Sequence, residues 1–121
     1  MLTIADLKKE IESIQKDYPP NKNHADTGLA SYARVRMKFL HSCLLTLEST
    51  PNLTRVMLIE LLASRRQLLA KYEKGVETIK LTHGPKSDYT RGQLSEMNKK
   101  YNPPQIREQI KVFEYLLGRE T

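Results

Sequence analysis

Apolar residues recur along this chain at alternating three- and four-residue spacing, and polar breaks divide the pattern into five helical segments. The first covers residues 3–17, where Ile4, Leu7, Ile11, Ile14 and Tyr18 share a narrow face. Thr3 is placed to cap it, with Asp6 three residues on as in a capping box, and Pro19-Pro20 stop it. A polar loop over 19–28 follows. The second helix is expected over 29–48, with Leu29, Ala33, Leu40, Cys43, Leu44 and Leu47 on one face. Thr50 as N-cap and Pro51 in the first turn mark the start of a third. It runs from about 51 into the mid-70s, or past Gly75 to Leu81. Its stripe is Leu58, Leu61, Leu62, Leu68, Leu69, Tyr72, Val76 and Ile79. Residues 82–92 are rich in turn formers. A shorter helix over 92–101 turns Leu94, Met97 and Tyr101 inward. After Asn102-Pro103-Pro104, a last helix presents Ile106, Ile110, Phe113, Leu116 and Leu117 and stops at Gly118.

This pattern predicts an all-α protein. The expected architecture is a compact bundle of about five helices in one domain over 1–121. It is built on a long antiparallel hairpin over 29–81, with the first and last helices packed across it. A chain of 121 residues buries a core without covalent staples. Cys43 is the single cysteine, so no disulfide forms within the chain, which suits a reducing compartment. The N-terminus has no apolar signal region, and no apolar run reaches membrane-spanning length. A cytoplasmic protein with no membrane contact is expected.

The net charge of +6 is unevenly spread. Residues 1–28 carry four basic and five acidic groups, residues 29–104 thirteen basic and six acidic, and residues 105–121 three of each. The excess sits on the hairpin and on the loop and helix after it. It fits an anionic ligand, nucleic acid or an acidic protein.

Two arginines break the helical pattern. Arg36 falls inside the apolar arc of the second helix and Arg65 inside that of the third, where charges normally take the opposite face. In an antiparallel hairpin turning near Thr50, Arg36 and Arg65 share a layer, while the layers around them are apolar on both sides. Two cations in a dry layer require an anion, because arginine does not shed its proton. One source is a ligand: the planar forks of Arg36 and Arg65 would clamp a phosphate, with Tyr32 and Tyr72 as stacking walls. The other source is the chain itself, through Glu10, Glu48 or Glu114, or an acid on a second subunit; alternatively one arginine leaves the layer, its head in water and its stem packed.

Further cations extend this reading. Arg34, Lys38 and His41 share the solvent face of the second helix, and with Arg55, Arg65 and Arg66 they suit a phosphate backbone or simply a solvated face. Lys86 and Arg91 stand in the loop 83–92, whose glycines and hydroxyls resemble phosphate-cradling loops without P-loop spacing. Residues 90–117 also read as two helices about a turn, but Asn102-Pro103-Pro104 replaces the glycine-containing turn of a helix-turn-helix.

Catalytic chemistry has little support. His24, His41 and His83 are scattered, Cys43 lies on an apolar face, and His24 with Asp26 falls short of a metal signature. No cofactor is implied. The expected function is therefore non-enzymatic binding of an anionic ligand, either a nucleotide-like phosphate compound or nucleic acid. Arg36, Arg65, Tyr32, Tyr72, Arg66, Lys86 and Arg91 are the candidate contacts. The alternative is a protein-interaction subunit, such as an inhibitor or assembly factor, acting through a helical surface. Val35, Phe39, Leu45, Leu53, Val56 and Ile59 lie off the main stripes and point to a homo-oligomer.

Overall fold

The computed structural model describes the backbone of residues 1–18 and 28–118, and the side chains of 1–18 and 31–118. Among them are five α-helices and no strand: α1 (Ile4–Asp17), α2 (Gly28–Ser49), α3 (Arg55–His83), α4 (Asp88–Tyr101) and α5 (Pro103–Leu116). None is long and apolar enough to cross a membrane. The expected loop over 19–28, including His24 and Asp26, lies outside the described residues except for Gly28, which opens α2.

The helix ends follow local chemistry. Thr3 caps α1 through a full capping box: Thr3 Oγ1 accepts from Asp6 N at 3.2 Å, and the Asp6 carboxylate accepts from Thr3 N at 2.9 Å. Those hydrogen bonds, the backbone one first, hold the Asp6 carboxyl below its ordinary pKa. Thr50 does not begin α3. Thr50 O accepts from Leu53 N at 3.0 Å in a turn, and Thr54 Oγ1 accepts from Met57 N at 3.2 Å to open the helix. The two threonines offer the same capping oxygen, and the helix takes the one four residues later. Likewise α4 begins at Asp88 and not at residue 92. Ser87 Oγ accepts from Thr90 N at 3.1 Å, so Asp88-Tyr89-Thr90-Arg91 is helix rather than loop. Asn102, in the left-handed region at φ 49°, ends α4, and Pro103 opens α5 directly after it.

The chain divides into two compact units. Unit 1 joins residues 1–58 to 112–121. In it α1 packs on α2. Its buried apolar residues are Leu7 and Ile11 of α1, Ala33, Leu40, Cys43 and Leu47 of α2, and Leu58 at the start of α3. Val112, Phe113, Leu116 and Leu117 complete the set. Each large aliphatic among them stabilises the fold by about 1.5–3 kcal/mol. A backbone hydrogen bond from Leu2 N to Leu116 O, at 2.8 Å, ties the first residues to α5. Gly118, at φ 80°, donates to Tyr115 O and ends that helix as expected.

Unit 2 is continuous over 59–111. Leu62 and Ile106 are buried, whereas Leu68, Leu69, Val76, Ile79, Leu94 and Met97 are half-buried. Leu61, expected inward, is exposed. Gly75 lets α3 and α4 approach: a Cβ there would stand 2.6 Å from Met97 Cε. Thr90 is wholly buried. Its hydroxyl accepts from Ser87 Oγ at 2.8 Å and donates to Gly84 O at 2.5 Å, which pins the α3–α4 connection onto the first turn of α4.

Candidate functional site

Arg36 occupies the inward-facing position expected of it, and the chain supplies its anion. The Arg36 guanidinium donates to Glu10 Oε1 at 2.9 Å, with side-chain exposures of 28% for the arginine and 35% for the glutamate. The second carboxylate oxygen of Glu10 accepts from the Tyr115 hydroxyl. Three helices thus contribute one group each: α1 the carboxylate, α2 the guanidinium and α5 the phenol. The rings close the arrangement. The guanidinium carbon lies 4.7 Å from the Tyr115 ring centroid and 5.5 Å from that of Phe39, within cation–π range. Phe39 and Tyr115 meet edge-to-face at 5.4 Å.

This geometry sets the charge states. Burial works against the Arg36 charge, but the hydrogen bond to Glu10 and the nearby Tyr115 and Glu10 outweigh it, so the guanidinium pKa rises. For Tyr115, burial first and the Glu10 hydrogen bond second push the phenol up to about 12, with Arg36 pulling the other way. The hydroxyl keeps its proton and remains a donor to Glu10. Of the three internal acids compatible with the sequence, Glu10 is the partner found for Arg36 in the structure.

The other candidate residues are dispersed. Arg36 belongs to unit 1 and Arg65 to unit 2. Arg65 is half-buried and makes no ion pair among the described residues, while Arg66 is exposed. Tyr32, on α2, is 68% exposed. Tyr72 is half-buried in unit 2, where its hydroxyl donates to Asn98 Oδ1 and its ring lies 5.7 Å from that of Tyr101. Lys100 Nζ stands 5.4 Å from the Tyr101 centroid, so two rings and a cation gather where α3 and α4 meet. Lys86 is exposed in the turn before Ser87. Arg91 pairs with Asp88 at 2.7 Å, one helical turn away and open to solvent, an arrangement of little net energy. A single residue, Asn102, separates α4 from α5, short of the three- to four-residue turn of a DNA-binding helix pair.

The wider surface of unit 2 is cationic. Residues 59–111 hold eleven Lys and Arg against six Asp and Glu. Lys71, Lys74, Lys80, Lys99, Lys100 and Lys111 are all exposed. Arg107 lies 4.0 Å from Glu73, the limit of an ion pair. No three metal-ligating side chains converge among the described residues. Comparison of the chain with protein-family models, with curated proteins and with solved structures finds no match.

Proposed function

We propose that this is a non-enzymatic binding protein for a polyanion, nucleic acid before all others, and that the exposed cations of unit 2 make the contact. The observation that carries the reading is the excess of eleven cations over six carboxylates within residues 59–111, most of it at exposed positions of three helices. Cations spread in this way match a row of phosphates better than one small phosphate, and their affinity comes from counterion release. The paired rings of Tyr72 and Tyr101 beside Lys100 add the aromatic surface on which unpaired bases stack. Arg36 has a different place in this reading from the one its sequence position suggests. Its charge is met by Glu10 inside unit 1, so ligand contacts fall to Arg65, Arg66, Lys86, Arg91 and the lysines around Tyr72.

The test is fluorescence anisotropy with labelled single-stranded and duplex oligonucleotides over a salt series. Affinity should fall linearly with the logarithm of salt concentration, and Lys99→Glu/Lys100→Glu should weaken binding at least tenfold. No binding at low salt, or equal losses from Lys8→Glu/Lys9→Glu in unit 1, would remove the basis of the reading.

A second reading, a protein-interaction subunit, is favoured by a separate observation. Val35 and Leu45 of α2 are 69% and 64% exposed. An apolar contact through them would be insensitive to salt, which separates the two readings in one titration.

A further inference from the structure

The core face of α2 is filled by Ala33, Leu40, Cys43 and Leu47. Its opposite face has its own regular order. Ser31, Val35, Lys38, Ser42, Leu45 and Ser49 follow one another at spacings of four, three, four, three and four, the seam of a coiled coil. Ser31, Val35, Lys38, Leu45 and Ser49 are exposed and Ser42 is half-buried. The polar groups on this side are modest. Ser42 Oγ donates to Lys38 O at 3.2 Å, and Thr46 Oγ1 to Ser42 O at 3.0 Å, so both hydroxyls are satisfied within the helix.

The seam reads in nearly the same order from either end. A serine lies at each end, a branched aliphatic one step in, and Lys38 and Ser42 flank the middle at Leu40. A second α2 laid antiparallel about that midpoint sets Val35 of each copy against Leu45 of the other. Lys38 then lies against Ser42, and Ser31 against Ser49. Small residues meet small ones at the ends, the large aliphatics fill the layers between, and Lys38 runs its stem over a serine to reach water.

Charge fits the same pairing. Through Gly28–Ser49 the only carboxylate is Glu48, at the end of the helix. Arg34, His41 and Glu48 line one edge of the seam, seven residues apart. In the antiparallel pair, Arg34 of each copy meets Glu48 of the other. Both are exposed, and neither makes an ion pair among the described residues. On the opposite edge Phe39 approaches its own symmetry mate, with Tyr32 beside Thr46. A parallel pair would instead set Lys38 of one copy against Lys38 of the other within the seam and turn Arg34 towards Phe39, away from Glu48.

We infer that the outward face of α2 is a two-fold interface with a second copy of this chain, the two α2 helices antiparallel and centred on Leu40. The interface is independent of the polyanion reading. It is isologous, so each apolar layer and each Arg34–Glu48 pair occurs twice.

Sedimentation equilibrium of the full chain, over a range of concentrations, reads the association directly. The expected mass rises to twice the 14.0 kDa of the chain. Leu45→Glu, at an exposed position that leaves the fold intact by circular dichroism, should weaken the dimer at least a hundredfold. Arg34→Glu should weaken it about tenfold, and Arg34→Glu/Glu48→Arg should restore it. A short bis-maleimide should join Ser31→Cys to Ser49→Cys when the two variants are mixed. It should not join Ser31→Cys to itself, because those positions lie about 27 Å apart along the antiparallel pair. A chain that stays monomeric at the highest concentration overturns the inference. So does a dimer indifferent to Leu45→Glu, or one in which Ser31→Cys joins to itself.

Discussion

Replacing Glu10 by Gln keeps the shape of the side chain that joins α1, α2 and α5 and removes its charge. In the folded protein the Glu10 carboxylate serves two donors, the guanidinium of Arg36 at 2.9 Å and the hydroxyl of Tyr115. Hydrogen bonds to a charged group contribute about 1.5–3 kcal/mol when water is excluded, and an exposed ion pair less than about 1 kcal/mol. Glu10 is 35% exposed and Arg36 28% exposed, so this pair lies between those limits. Glu10→Gln should therefore destabilise unit 1 by about 1–2 kcal/mol, because Arg36 keeps its charge and loses its counter-charge. Arg36→Met should cost less than Glu10→Gln. The carboxylate it leaves behind is the more exposed of the two charges and still accepts from the Tyr115 hydroxyl, and a flexible thioether can fill the space between Phe39 and Tyr115. The double variant should cost less than the sum of the two, with a coupling of about 1 kcal/mol. Urea unfolding followed by circular dichroism at 222 nm measures all four corners of the cycle. Additivity within about 0.3 kcal/mol would refute the argument. It would mean that solvent already supplies what Glu10 and Arg36 are said to supply each other.

Two further outcomes follow from neighbouring groups. The phenol of Tyr115, raised to about 12 from an ordinary 10, contributes stability that is complete below pH 10 and is lost as pH climbs towards 12. The stability difference between the wild type and Tyr115→Phe should shrink across that window, and a difference that stays flat would remove Tyr115 from the network. In unit 2, Thr90→Val keeps the shape of a fully buried side chain but strips the hydroxyl from Gly84 O and Ser87 Oγ. It should cost about 1–3 kcal/mol in urea unfolding, and a neutral result would mean that the connection between α3 and α4 holds itself.

Much of this fold is legible in the chain because its signals are local. The Thr3–Asp6 capping box, the apolar stripes of α1, α2 and α5, and the stop at Gly118 each depend on residues within a turn or two of one another. Errors arise where two nearby residues offer the same chemistry. Thr50 and Thr54 both carry a capping oxygen, and Pro51 favours the first, yet the chain turns at Thr50 and begins α3 at Arg55. Ser87 lies among turn formers, and Gly92 inside α4 disguises a helix because glycine disfavours one. The Arg36 site is half legible. An arginine in an apolar arc demands an anion, and Glu10 at the margin of the α1 stripe is near enough to answer. Tyr115 was not foreseeable. It sits on α5 between Glu114 and Leu116, and nothing in its spacing ties it to a residue 105 positions earlier. Val112 is a related case: it lies beside the α5 stripe and is buried by what unit 1 brings to it.

The division of the chain has a consequence for the order in which it folds. Unit 2 is one unbroken stretch, residues 59–111, whereas unit 1 needs residues 1–58 and 112–121 together. Leu116 is buried in the same unit as Leu7, and its carbonyl accepts a hydrogen bond from Leu2 N. During synthesis from the N-terminus, the first half of unit 1 emerges early and then waits for its complement. Unit 2 emerges later and lacks nothing. The unit that starts first should therefore finish last. In the interval, α1 and α2 carry an uncovered apolar face, which makes that half-built state the point at which a chaperone would act or aggregation would begin.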